Sequence, residues 1–155
     1  MVEVKYLSDM TLNEKVLIGI VRCADMYKKK FSELFKNYRL TFPQYGVLRI
    51  LDASLNNRNT ITNIAKIMTV TTSNITRIVQ LLERDGFLLR KMSPDDERVK
   101  LVEITPKGMK TLKNILEEQN KYLESILEDF SDELKEKIVG RIRSILKKEA
   151  PESFL

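Results

Sequence analysis

Apolar residues in this chain recur three or four positions apart almost from end to end, and fail to do so in one short stretch. That spacing places side chains on a single face of an α-helix. Only 5 Gly and 4 Pro interrupt 155 residues, so few positions invite a helix to stop. The exception is "FLLRKMSPDDERVKLVEITPKG", Phe87 to Gly108, where two strand-like runs flank Ser93-Pro94-Asp95-Asp96. The pattern predicts a mostly α protein with one small β-hairpin.

The periodicity divides into elements. A long helix is expected over 11–38, with Leu12, Val16, Ile20, Cys23, Tyr27, Phe31, Leu34, Phe35 and Tyr38 along one stripe. Thr41 and Pro43 open a second helix, with Tyr45, Leu48, Ile50 and Leu51 inward. Asn56 to Asn59 reads as a loop. A short helix spans Thr60–Met68, followed by a turn at Thr69 to Thr71. The next helix is capped by Thr71, buries Ile75, Ile78, Val79 and Leu82, and ends at Gly86. Strands follow at Phe87–Met92 and Val99–Ile104. Thr105 caps a long helix through about Phe130. Ser131 caps a last one, with Leu134, Ile138, Ile142, Ile145 and Leu146 inward, ending near Lys148. The first and last helices are longer than the small core between them can cover. Pairing their apolar faces across a two-fold axis would satisfy both, so a homodimer is expected.

Composition removes several function classes. With His 0 and Cys 1, there is no histidine base, no intrachain disulfide and no His/Cys metal cluster. Neither a Gly-rich phosphate loop nor an isolated acid pair is evident, so no enzyme, cofactor or metal is expected. The longest apolar run, Val16 to Val21, is too short to cross a bilayer. The opening residues lack the layout of an export signal, so a cytoplasmic location without a membrane partner is expected. The net charge of +5 fits nucleic-acid binding and simple solubility equally well. Cys23 falls on the apolar stripe, where a buried thiol would be inert. The aromatic group Tyr27, Phe31, Phe35, Tyr38 and Phe42 reads as core, with pocket lining as the other option. Lys28 to Lys30 reads as a solvated face.

The short helix, tight turn and next helix form a helix-turn-helix pattern. In such a motif the N-terminal residues of the second helix meet base edges in the major groove. Thr72, Ser73, Asn74, Thr76, Arg77 and Gln80 lie on the outward side of that helix. They are small hydroxyl and amide groups with one arginine, able to bond bases or phosphates. The helix start adds backbone N–H groups suited to a phosphate. An ordinary polar surface would show similar residues. The hairpin sits where a wing would sit, directly after the second helix. Arg98 lies just past its tip and could enter a minor groove, with Asp96 fixing the guanidinium by a charge-assisted pair. A solvated charged turn is the alternative for the hairpin alone.

Taken together, "LTFPQYGVLRIL", "ITNIAKIM", "TTSNITRIVQLLERDGFLLR" and "DDERVKLVEITPKG" resemble the MarR family of winged helix-turn-helix regulators. The family's wing pattern, D-x-R, an apolar strand and L-T-x-x-G, reads here Asp96-Glu97-Arg98, Leu101, Ile104-Thr105 and Gly108. The resemblance runs from Leu12 to Leu146. It implies a winged helix-turn-helix domain (41–104) flanked by dimerisation helices (11–38 and 105–148). It implies DNA contacts from Thr71, Thr72, Ser73, Asn74, Thr76 and Arg77, a wing pair at Arg98 and Asp96, and Gln44 near the DNA backbone. It also implies a homodimeric repressor on a pseudo-palindromic double-stranded operator, released by a small-molecule effector. Glu97 departs from the basic residues frequent at that position. A non-specific architectural DNA-binding protein on the same fold is the competing expectation, and a protein-interaction module that has lost DNA contact is a further one.

Overall fold

The computed structural model describes residues 9–92 and 100–149. The chain divides into two compact units, residues 1–42 and 43–155.

The first unit is dominated by helix α1, Leu12–Asn37. It opens on a capping box. The Glu14 N–H donates to Thr11 Oγ1 at 3.3 Å, and the Glu14 carboxylate accepts from the Thr11 N–H at 2.7 Å. The Thr11 N–H, and after it the Thr11 hydroxyl, which also donates to that carboxylate at 2.8 Å, hold the Glu14 carboxyl below its ordinary range. At the other end Arg39 is left-handed, with φ 57°. This lets Leu40 N–H reach Phe35 O and Arg39 N–H reach Lys36 O, both at 2.9 Å. Tyr27 and Phe31 have ring centroids 4.5 Å apart, and Phe35 and Phe42 5.6 Å apart. Phe31 and Phe35 are buried, as a core reading requires. The N-terminal half of the stripe is not. Leu12, Val16 and Cys23 are exposed, which corrects the expectation of a buried thiol. Amphipathic spacing fixes which side chains share a face, but a single chain need not cover that face.

Helix α2, Phe42–Asp52, begins at the boundary and buries Tyr45, Val47, Leu48 and Leu51 in the second unit, while Ile50 is only half-buried. The Tyr45 hydroxyl donates to Gln119 Oε1 at 2.6 Å, a buried bond 74 positions apart in sequence. A short turn of 3-10 helix, Leu55–Asn57, leads into strand β1, Arg58–Thr60. Of the loop expected over Asn56 to Asn59, the first two residues lie in that turn and Arg58 and Asn59 in the strand. It pairs antiparallel with β3 (Lys100–Ile104), Asn59 opposite Val102. Three residues are too few to show alternation, and asparagine is a poor strand former; the partner edge is what recruits them. With β2 (Leu88–Met92), the sheet has three strands in the order β1-β3-β2 rather than a lone hairpin.

Helices α3 (Ile61–Met68) and α4 (Thr72–Arg84) pack on each other; α3 lies against β1 and β3, α4 against β2. Ile64, Ala65, Ile75, Val79, Leu82, Leu88, Val102 and Ile104 are buried and make the core of this lobe. Helix α5, Pro106–Ile126, begins at its cap Thr105 and ends short of the expected Phe130. Helix α6 is Asp132–Glu149. The expectation that its apolar residues face inward is not met. Leu134, Ile138 and Ile145 are exposed, and Ile142 and Leu146 only half-buried. No helix among the described residues is long and apolar enough to cross a membrane.

The Thr-x-x-Gly signature acquires a physical reason at the start of α5. Thr105 Oγ1 accepts from Gly108 N–H at 3.1 Å and donates to Gly86 O at 2.8 Å. Thr105 N–H donates to Phe87 O at 3.0 Å. The Lys107 ammonium donates to Asp85 O at 2.6 Å and sits 4.6 Å from the centre of the Phe87 ring. Three successive carbonyls of the turn between α4 and β2 are thus held by the first residues of α5. A Cβ at position 108 would lie 2.2 Å from Phe87 O, so only glycine fits.

Candidate nucleic-acid interface

The turn between α3 and α4 sets the angle of the second helix. Thr69 is left-handed, with φ 54°, a conformation costly for a β-branched residue. It allows Val70 N–H to reach Ala65 O at 3.1 Å, closing α3 abruptly. Thr71 then starts α4: its hydroxyl accepts from Asn74 N–H at 3.4 Å and lies 3.0 Å from the Ser73 hydroxyl.

Beyond that cap, Thr72, Ser73, Asn74, Arg77 and Gln80 are all exposed, while Ile75, Val79 and Leu82 are buried on the opposite side. Thr76 is half-buried, and its hydroxyl donates to Thr72 O at 2.9 Å. The polar face expected of a recognition helix is therefore assembled on one side of α4. The first turn of a helix also presents N–H groups without partners inside the helix, and these favour an anion.

Gln44 is placed differently. It is 7% exposed, so little of its side chain reaches the surface of the single chain. The cause is the register of α2, which turns position 44 to the same side as Leu48 and Leu51. Asp96 and Arg98 lie outside the described residues. Strand β2 is described as far as Met92 and β3 from Lys100, and these two residues oppose each other.

One feature of the site went unread in the sequence. The Glu83 carboxylate, in the last turn of α4, lies 2.5 Å from Arg90 Nη2 and accepts the Arg90 N–H at 3.2 Å. The guanidinium bond is the main reason Glu83 is held below the ordinary carboxylate range, and Arg90 is raised in turn. Opposite charges seven positions apart across a helix–Gly–strand junction were the available signal.

Residues 29–115, more than half the chain, match the family model described as "Transcriptional regulator SarA/Rot". The chain belongs to this family. Its fold is that of MarR-family winged-helix structures. A MarR family transcriptional regulator from Streptomyces coelicolor, solved in complex with DNA, superposes with a TM-score of 0.79 at 21% identity, over 94% of this chain and 95% of that one. The organohalide-sensing transcriptional regulator RdhR, in its 2,4-dichlorophenol bound form, gives 0.76 at 15% identity, over 92% and 83%. Among sequence relatives, an uncharacterized HTH-type transcriptional regulator of Bacillus cereus is 26% identical over 149 residues, 96% of this chain and 98% of the relative. The HTH-type transcriptional repressor YetL of Bacillus subtilis is 27% identical over 124 residues, 77% and 74% of the two chains. The protein is thus a DNA-binding transcriptional regulator of the MarR-like winged-helix type, and its relatives are regulators rather than enzymes.

Proposed function

We propose that this SarA/Rot family member is a sequence-specific homodimeric repressor whose α4 reads a pseudo-palindromic operator and whose wing grips the neighbouring groove. The observation that carries the sequence-reading role is the exposed face Thr72, Ser73, Asn74, Arg77 and Gln80, set opposite the buried Ile75, Val79 and Leu82. Short polar side chains with one arginine can approach a groove floor and form bidentate bonds to bases. Thr71 and Thr76 would serve phosphates, and Arg98, held by Asp96, the minor groove.

Dimerisation would use segments 11–38 and 105–148 around a DNA-binding lobe at 41–104. Its support is the exposed apolar residues Leu12, Leu17 and Val21 on α1, and Leu134, Ile138 and Val139 on α6. Apolar surface on this scale on two helices is what a subunit interface removes from water. Repression is supported by the name of the relative YetL. Release by a small ligand is supported by the chlorophenol bound to RdhR. A cytoplasmic site of action follows from this reading.

Fluorescence anisotropy at near-physiological salt tests the proposal, using a duplex from just upstream of the protein's own reading frame and a shuffled duplex of equal composition. A preference of about a thousandfold is the expected result. Equal binding with a steep salt dependence, extended to a genome-wide site search, would instead establish a non-specific architectural protein.

A further inference from the structure

We propose that Glu83 and Arg90 form a positioning pair that fixes the wing strand against the recognition helix and thereby sets DNA affinity without touching DNA. The inference rests on the DNA-binding role proposed above. Glu83 lies in the last turn of α4 and Arg90 is the middle residue of β2, with only Asp85, Gly86 and Phe87 in the turn between these elements. One carboxylate holds both the side chain and the main chain of the strand, through Arg90 Nη2 and Arg90 N–H. Arg90 stands opposite Val102, which is fully buried, so its side chain leaves the sheet on the face turned toward the core. A guanidinium starting there meets the end of α4 rather than open solvent.

The turn itself has little freedom left. Its three carbonyls are bonded to Thr105 and Lys107, and Gly86 N–H and Phe87 N–H close the end of α4 on Glu83 O and Leu82 O, both at 2.9 Å. The motion that remains is a hinge of β2 away from α4, and the Glu83–Arg90 pair spans that hinge. The Lys91–Glu103 pair links strand to strand, and Arg84–Asp85 links sequence neighbours. Neither resists the hinge. DNA contact by a helix and a wing at once requires their separation and angle to be set beforehand, because any play between them is lost entropy on binding.

The test uses the full chain, the tightest-binding duplex and fixed salt, with Glu83→Gln, Arg90→Gln and the double variant. Affinity, melting temperature and amide exchange across β2 are read for each. Each single variant is expected to weaken binding by about three- to tenfold, within the coupling of a partly exposed pair. The double variant should be no worse than either single, and β2 amides should exchange faster in all three at a nearly unchanged melting temperature. A Glu83→Gln variant that binds as tightly as the parent or tighter, beside a weakened Arg90→Gln, would overturn the proposal and make Arg90 a direct phosphate contact. Unchanged affinity in all three, or affinity that falls only as the melting temperature falls, would overturn it as well. Failure of the parent protein to bind any duplex would overturn the DNA-binding role and this proposal together, a result distinct from parent binding that the variants leave intact.

Discussion

Gly108 carries a constraint that no other amino acid meets. Its missing Cβ makes room for Phe87 O, which would otherwise lie 2.2 Å away, and Ile104 Cγ1 would lie at 2.7 Å. Because the nearest atom is backbone, the strain cannot be relieved by a rotamer change. Gly108→Ala is expected to cost about 2–3 kcal/mol in a urea melt, in the range for forced overpacking. Thr69 sits at the opposite extreme. Its φ of 54° places a β-branched residue in the left-handed region, at the turn of the helix-turn-helix. Thr69→Gly should gain about 1 kcal/mol by the same melt, since glycine pays no steric cost there. Loss of stability would show that the Thr69 side chain makes up for its backbone strain. At the DNA face, Arg77→Ala or Arg98→Ala should each weaken operator binding by about 1–3 kcal/mol, and unchanged affinity at moderate salt would remove that arginine from the interface.

At the scale of elements, one ion pair gives a pH signature with a definite sign. The folded-state carboxyl of Glu83 is lowered, chiefly by its bond to Arg90. The unfolded chain therefore binds its proton more readily. The pair's contribution is complete above the ordinary carboxylate range and is lost as pH falls through the folded value. A small stability difference between the parent and Glu83→Gln, too small to move the melting temperature appreciably, should accordingly be present at neutral pH and shrink in acid, followed by urea melts between neutral pH and pH 3. A difference that grew on acidification would contradict the pairing. Both side chains are about one-third exposed, so the effect is small and screened by salt. The elements themselves were largely legible. Thr71 and Thr105 each cap the helix that their position in the sequence announces. Strand β1 was not legible, because "RNT" has no strand-like pattern of its own and pairs only because β3 offers it an edge.

For the whole molecule, the exposed apolar residues of α1 and α6 carry the quaternary prediction. Leu12 is 76% exposed and Ile138 38% in the single chain. Sedimentation at micromolar concentration should give twice the 18.1 kDa chain mass. Ile138→Glu should shift the population toward monomer and weaken operator binding with it, since two half-sites gripped together bind far more tightly than one. A monomer in the parent protein would refute the dimer. The misjudged side chains belong to this scale. Cys23 and the inward residues of α6 were assigned to a core by spacing, and spacing says nothing about what lies opposite.

Local chemistry alone determined where most helices begin, which faces are apolar, and the order helix, turn, helix, hairpin that marks the family. Each of those depends on residues within a few positions of one another, so one sequence suffices to read them. Tertiary structure decided the rest: the third strand, the burial of Gln44, the Tyr45–Gln119 bond, the Glu83–Arg90 clamp and the seat of Gly108 against Phe87. Those contacts join residues that meet only after the chain has folded, and no period or motif along the sequence encodes the distance between them.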